Sequence, residues 1–429
     1  MLQPIFHHRM SRIYNAIISS ANKAVEATRL CPRLTPGSRK IRQFAAGQRH
    51  WLADLKAGFN TSDPRPTYWF HAASLGEFCV ARPVIQRLSA DHGCRIVLTF
   101  FSATGYEALK HRTDIPEIDY VGYLPLDTPR NVRQFLDIVK PAKAIFTISE
   151  YWINYLTELK RRNIPTYLLS ALITRNAPFF KWYGKPYRRI LDSYTRILVL
   201  NDRSRELLRT LGCTNVTVTG DPLFDNAVAI ASQSWTDTVI ERFKGNDPVF
   251  IAGSISDWKD LELCSAVANH HPGLKCIFVP HEINRNAIRS MANSLRGKSI
   301  CYSECDDSTD LSQIQTLIID HIGDLAKLYR YGTYAYIGGG FTPRLHSIIE
   351  ATVYGLPTCF GPEIHRKATP TELAKWGIGE IVHDTVEINR WIDRFLDNAD
   401  MLEKIREKAL EYTRRNSGAA AEIAGMLSE

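Results

Sequence analysis

Short apolar runs alternate with segments of helical character from residue 68 to residue 382, and this alternation decides the fold class. Seven runs come first, at 68–71, 95–100, 120–123, 144–147, 166–169, 197–200 and 216–218. Six more follow at 249–252, 276–279, 316–319, 335–337, 358–360 and 380–382. Runs this short and this continuously apolar suit strands buried on both faces, and strand followed by helix, repeated, builds a parallel sheet covered by helices. Residues 226–246, between the two series, carry no strand pattern and read as a helical linker. A chain of 429 residues exceeds what one hydrophobic core serves. The pattern therefore predicts two doubly wound α/β domains, 51–225 and 247–397, facing each other across a cleft where the carboxyl ends of the strands gather ligands. Residues 398–429 read as one charged amphipathic helix packed across the domains.

The net charge of +8 is unevenly placed. Residues 1–50 hold Arg9, Arg12, Lys23, Arg29, Arg33, Arg39, Lys40, Arg42 and Arg49 against Glu26 alone, so the rest of the chain is neutral in sum. Ile13, Tyr14, Ile17, Ile18, Ala21 and Val25 recur there at helical spacing, which predicts a basic amphipathic helix lying on an anionic membrane surface. A solvated face packed on the N-terminal domain is the other reading of the same residues. The segment has no recognisable nucleic-acid module, and nucleic acid is not expected as a partner. No apolar stretch approaches the roughly 20 residues that span a bilayer, and the first residues lack a signal-peptide core. Nine cysteines at scattered positions, an odd number with no Cys-x-x-Cys pair, favour reduced thiols in a cytoplasm.

The densest signal in the C-terminal half is the stretch 334–362: an apolar run, Gly338-Gly339-Gly340, a helix expected from about His346, and a second strand entered through Gly355-Leu-Pro357. Glycines at a strand end let backbone amides approach a ligand without a Cβ in the way. A helix start there would turn its positive end to a phosphate. Glu350 falls one helical turn after His346, placed to accept hydrogen bonds from ribose hydroxyls. Gly253-Ser254 repeats the strand-to-glycine design, and His281 follows the next strand. These residues, with Ser347, form a candidate nucleotide site; a packing turn and a structural histidine are the plain alternatives.

In the N-terminal half the first strand runs into His71-Ala-Ala-Ser-Leu-Gly-Glu77, placing Ser74, Gly76 and Glu77 on the turn at its carboxyl end. A carboxylate there serves as a helix cap or as a general base taking a proton from an acceptor hydroxyl. Ser102 and Thr104, after the second strand, suit an anion or a cap. Residues 175–189 interleave five cations with five aromatics, among them Arg175, Lys181 and Arg188, a mixture fit for an amphiphilic, phosphorylated acceptor. No Asp-x-Asp pair stands beside a nucleotide-type turn, and no histidine–carboxylate cluster shows metal-ligand spacing. Phosphate-loop and dinucleotide fingerprints are absent, which argues against an ATPase and against nicotinamide chemistry.

Taken in order, 71–77, the Ser102-Ala-Thr-Gly105 turn, Leu124-Pro-Leu-Asp127, Lys140-Pro141 with Ser149-Glu-Tyr-Trp152, Gly220-Asp-Pro-Leu-Phe-Asp225, Ala252-Gly-Ser254 and the 338–362 stretch resemble the Kdo transferases, over roughly residues 65–385. These enzymes attach 3-deoxy-D-manno-octulosonic acid (Kdo) from CMP-Kdo to the lipid A precursor. The resemblance implies a GT-B architecture, an inverting transfer needing neither metal nor cofactor, and attachment to the cytoplasmic face of the inner membrane; the N-terminal segment is less apolar than the family's usual anchor, so peripheral rather than inserted attachment is expected. It also implies Glu77 as the base and nucleotide contacts from Ser254, His281 and Glu350. Where the family reads Gly-His-Asn before the glutamate, this chain has Leu345-His346-Ser347, and a serine reaches less far than an amide. A nucleotide-sugar epimerase of the same architecture, or a degenerate transferase that only binds nucleotide or lipid, are the rival functions.

Overall fold

The computed structural model describes residues 3–27, 39–111, 115–364, 367–396 and 398–429. The chain forms two compact units: one runs to Leu223 and takes in Gly418–Glu429, and the other is Phe224–Ser417.

The first unit is built on a seven-stranded sheet: β1 Thr67–Ala72, β2 Arg95–Phe100, β3 Tyr120–Tyr123, β4 Lys143–Thr147, β5 Thr166–Ala171, β6 Arg196–Val199 and β7 Val216–Val218. All pairs are parallel, in the order β3-β2-β1-β4-β5-β6-β7. Every residue of β1, β2 and β5 is buried, as the unbroken apolar runs require. Trp69 anchors one face, with its ring 4.9 Å from Phe135 and 5.2 Å from Phe146. The chain lays strands outward from β1 on one side and then returns to place β4 on the other, so β1 and β4 flank a topological switch point, where loops leave in opposite directions and open a crevice.

The second unit repeats the plan with β8 Val249–Ile255, β9 Lys275–Pro280, β10 Ser299–Cys301, β11 Thr316–Ile318, β12 Tyr334–Ile337, β13 Thr358–Phe360 and β14 Gly379–Ile381. These are again parallel, in the order β10-β11-β9-β8-β12-β13-β14, and the switch point lies between β8 and β12. Thirteen of the fourteen strands coincide with the apolar runs; β10 does not, because it is a three-residue, half-buried edge strand with too little apolar character to stand out.

Two expectations change. The tail is two helices, Ala399–Asn416 and Ala419–Ser428, broken at Gly418, whose φ of +108° ends helical geometry. The first belongs to the second unit; the second belongs to the first unit and seats Ala420, Ile423 and Leu427 in its core. The stretch between the strand series is helical as expected, as Leu223–Ala231 and Thr238–Lys244, but residues 226–246 belong to the second unit instead of forming a separate linker.

Residues Gln3–Ala27 form the expected helix. Its inward face mixes apolar and polar groups: Ile18 and Val25 are half-buried, the Tyr14 hydroxyl donates to Asp127 at 2.6 Å, and Asn154 and Asn131 donate to Asn15 and Asn22 at 2.7 and 3.2 Å. Ile13 and Ile17 lie outward, 53% and 62% exposed. Arg29, Cys31 and Arg33 lie outside the described residues.

Candidate active site

The first unit offers a carboxylate at its switch point. Beyond β1, Ser74 caps the helix Leu75–His92 by accepting from the Glu77 amide, while Glu77 Oε2 accepts from the Ala73 amide. This reciprocal pair is the capping role that the sequence left open. It also fixes Glu77 on the crevice turn. Burial, with the charge of Glu150 added, pushes Glu77 up to about 8 against the ordinary carboxylate value, although the two amide hydrogen bonds pull the other way. A carboxyl that exchanges its proton near neutrality suits a general base. Gly76 beside it is exposed, and a Cβ built there meets only Ser74 Oγ at 3.9 Å, so no internal contact demands a glycine. Ser102 accepts from the Gly105 amide at 3.1 Å and lies 3.2 Å from the Thr104 hydroxyl, acting as the cap of the helix Ala103–Leu109.

Residues 175–189 fold as a short turn, Pro178–Phe180, and the helix Lys185–Leu191. Phe179 is wholly buried, and Arg188 donates to its carbonyl at 2.7 Å, so this arginine braces the turn. Lys181 reaches Asn176 Oδ1 at 3.4 Å, and Arg175 is exposed. Trp182 stands 93% exposed among these cations.

The second unit brings its candidate residues together at the β8–β12 switch point. Ser254 sits at the end of β8 with φ +57°, a left-handed conformation uncommon outside glycine, where the β8–β9 register shifts. His281 follows β9, its amide bonded to the Ile255 carbonyl at 2.9 Å. Its ring lies 4.3 Å from that of His346. The Ser256 hydroxyl donates to the Ser254 carbonyl at 2.8 Å, so its oxygen, 2.8 Å from His346 Nε2, receives the imidazole proton and leaves Nδ1 as an acceptor. Burial first, then the neighbouring His281 and Lys367, lowers His346 to about 4 and keeps it neutral. Burial raises Glu350 to about 7, against a smaller opposing pull from Lys367. Ser347 Oγ is buried and has no hydrogen-bond partner among the described residues.

Several expectations for this site are corrected. The helix begins at Ile349 and has four residues, Ile349–Thr352, so His346 does not share a helical face with Glu350 and no long helix points at the turn. Pro343 lies in a turn, and the His346 amide bonds back to the Gly338 carbonyl at 3.1 Å instead of entering a helix. The amides of Gly338 and Gly339 are also committed, to the Gly253 carbonyl at 2.9 Å and to Asp260 Oδ2 at 2.8 Å. Gly339 is glycine because φ is +82°, and Gly253 because the Tyr329 hydroxyl lies 2.0 Å from where a Cβ would be. Packing of the turn therefore accounts for both glycines.

Asp260 escapes a sequence reading. Fully buried in the first turn of the helix Trp258–His270, it accepts from the Tyr336 hydroxyl at 2.6 Å, the Gly339 amide at 2.8 Å and the Ser256 amide at 2.9 Å. It thereby ties the turn after β8 to the turn after β12. An acid one turn after the Ser256-Asp257 cap is the only trace in the sequence, and it reads as a dipole partner. Lys367, whose ammonium donates to the His346 carbonyl at 3.1 Å, supplies a cation at the site and was likewise not singled out. Far from these residues, at the other end of the 13-residue helix Trp258–His270, His270, His271 and Asp393 place potential metal-ligating atoms within 4.8 Å of one another. The helix alone separates the two ends by about 20 Å.

Two doubly wound parallel domains with polar turns at both switch points define a protein of the GT-B fold, and solved structures agree. The UDP-GlcNAc 2-epimerase of Neisseria meningitidis superposes with a TM-score of 0.60 at 15% identity, covering 85% of this chain and 100% of that one. MurG of Acinetobacter baumannii gives 0.51 at 12% identity, covering 85% and 99%. At such identities the likeness shows the fold. Residues 47–226 match the family model described as 3-deoxy-D-manno-octulosonic-acid transferase (kdotransferase). The chain is 25% identical over 386 residues to the 3-deoxy-D-manno-octulosonic acid transferase of Haemophilus influenzae, covering 86% of this chain and 88% of that protein. Together they support the Kdo transferase family, whose members are glycosyltransferases.

Proposed function

We propose that this protein transfers Kdo from CMP-Kdo to the lipid A precursor, inverting the anomeric carbon without a metal ion, while attached peripherally to the cytoplasmic face of the inner membrane. Glu77 carries the reading: a carboxyl on the switch-point turn, inside the segment that matches the family, whose proton exchanges near neutrality. CMP is a good leaving group, so the enzyme must orient the acceptor hydroxyl, take its proton late and meet the charge of the departing phosphate. As the acceptor oxygen bonds to the anomeric carbon, its proton passes to the Glu77 carboxylate; the carbon–oxygen bond to phosphate breaks, and CMP leaves with the electron pair. Ser254, His281, the Nδ1 face of His346 and the Lys367 ammonium are the groups available to the donor, and Lys367 supplies positive charge for the phosphate. Glu350 and Ser347 complete the donor set.

The acceptor is an amphiphile with phosphates, and Arg175, Lys181 and the exposed Trp182 suit it. Among the described residues no helix is long and apolar enough to cross a membrane. The outward isoleucines of the first helix, together with the basic residues of the N-terminal segment, support attachment to an anionic surface instead. Glu77→Gln tests the assignment: CMP-Kdo binding stays, turnover falls roughly 100-fold or more, and product NMR shows an inverted anomeric centre with wild-type enzyme whether or not a chelator is present. Near-normal turnover of the variant removes Glu77 from the base role.

A further inference from the structure

Glu77 works as a base only when ionised, and Glu150 opposes that ionisation. Glu150 is 7% exposed and follows β4, the partner of β1 across the switch point. Ile148, with φ +70°, turns the chain there; a β-branched residue in the left-handed region is strained, and such strain collects at functional sites. His71 in β1 is wholly buried, its Nδ1 3.0 Å from both the Thr99 carbonyl and the Thr99 hydroxyl. The Thr99 hydroxyl directs its own proton to the Phe70 carbonyl at 3.3 Å, and a carbonyl only accepts, so Nδ1 must carry a proton. Nε2 then lies 3.4 Å from Glu150 Oε2, within ion-pair range, and makes no hydrogen bond among the described residues. A bare imidazole nitrogen buried that close to a carboxylate is unfavourable, and a second proton on the ring would turn the contact into an ion pair. Trp152 Nε1 donates to the same Glu150 oxygen, which favours the carboxylate and leaves that proton on His71.

We propose that His71 is an imidazolium that neutralises Glu150 and thereby keeps Glu77 able to act as a carboxylate; His71 and Glu150 are positioning residues for the base. The proposal rests on Glu77 being that base. The titratable groups facing Glu150 are His71 from β1, Glu77 from the following helix, and Tyr151 and Tyr194, both held neutral by burial. Tyr194 also donates its hydroxyl to the Glu150 carbonyl. With His71 charged, ionised Glu77 leaves one net negative charge in the cluster. With His71 neutral it leaves two, in a buried setting where like charges strongly hinder ionisation.

The pH profile of transfer, read as CMP release from CMP-Kdo and lipid A precursor, tests this in four proteins. Glu150→Gln removes the opposing charge, and the acid limb moves down by about one pH unit or more. His71→Gln leaves Glu150 uncompensated, so the limb moves up and the rate at pH 7 falls about tenfold, recovering as pH rises. The double variant returns the limb to that of Glu150→Gln. Uniform rate losses with the limb in place mean a structural role and overturn the proposal. Because a buried His71 variant can fail to fold, 15N-histidine NMR of the unaltered protein supplies an independent reading. Two protonated ring nitrogens on His71 at neutral pH are expected, and a neutral ring refutes the proposal. Glu77→Gln run alongside separates the outcomes: full activity there removes the base assignment, whereas the NMR reports on His71 regardless.

Discussion

Asp260→Ala removes the brace between the two turns that carry the donor-site residues. Three donors lose their acceptor: the Ser256 and Gly339 amides and the Tyr336 hydroxyl. The aspartate is fully buried, so water does not readily replace it. A buried donor left unpaired costs roughly 1–3 kcal/mol, which puts the two backbone amides alone at roughly 2–6 kcal/mol. Part of this is offset, because burying the carboxylate is itself unfavourable: burial raises the Asp260 pKa above the ordinary value although all three hydrogen bonds lower it. A net loss of about 2–4 kcal/mol follows. Asp260→Asn keeps an oxygen toward both amides and turns its amide group to the Tyr336 oxygen, so it loses about 1 kcal/mol. The two variants differ in pH dependence as well. A folded-state pKa above the unfolded one means that the carboxyl stabilises most when protonated; wild-type stability therefore falls as pH rises from the ordinary aspartate range through the raised value, and Asp260→Asn flattens that slope. Urea unfolding followed by circular dichroism reads the loss, and calorimetry with CMP reads the turns, with affinity expected to fall about tenfold or more in Asp260→Ala. Wild-type stability together with wild-type CMP affinity in Asp260→Ala would refute the reasoning.

Gly76→Ala leaves the melting temperature unchanged, because nothing in the first unit crowds the new methyl, yet it slows transfer by filling the space beside Glu77; a lowered melting temperature contradicts this. Transfer by the wild-type enzyme rises about tenfold per pH unit below the Glu77 value of about 8 and levels above it, because the carboxylate is the active form; a flat profile between pH 6 and 9 opposes it. Tyr14→Phe loosens the N-terminal helix by about 1–2 kcal/mol, since Asp127 loses one of its donors, and limited proteolysis reads the change as faster cleavage. Ile17→Asp with Trp182→Ala lowers binding to anionic vesicles about tenfold or more without altering CMP affinity; unchanged vesicle binding counts against the membrane assignment.

The sheets were readable because a buried parallel strand announces itself as an apolar run whatever surrounds it, and β10 was missed because its three residues, Ser299-Ile-Cys301, carry too little apolar character to stand out. Glu77 and Ser254 were placed at strand ends for a related reason: position at a strand's carboxyl end is a property of local order along the chain. His346 was singled out by position too, but its setting was misread. A helix was expected where turn hydrogen bonds around Pro343 hold the chain otherwise. Asp260, Glu150 and Lys367 gain their roles only from partners far away in sequence, such as Gly339 for Asp260 and His71 for Glu150. A buried carboxylate braced by three donors looks, in the sequence, like any acid at a helix start. The glycine turn misleads in the opposite direction, since the Tyr329 hydroxyl accounts for Gly253 and a left-handed φ for Gly339.

Incubating the protein with CMP-Kdo and lipid A precursor, while following CMP release and the mass of the lipid, addresses the assignment most directly. The account predicts CMP release that depends on the lipid, a lipid heavier by whole Kdo units, and loss of both in Glu77→Gln. CMP-Kdo left intact beside unmodified lipid, or CMP released with no gain in lipid mass, would contradict it.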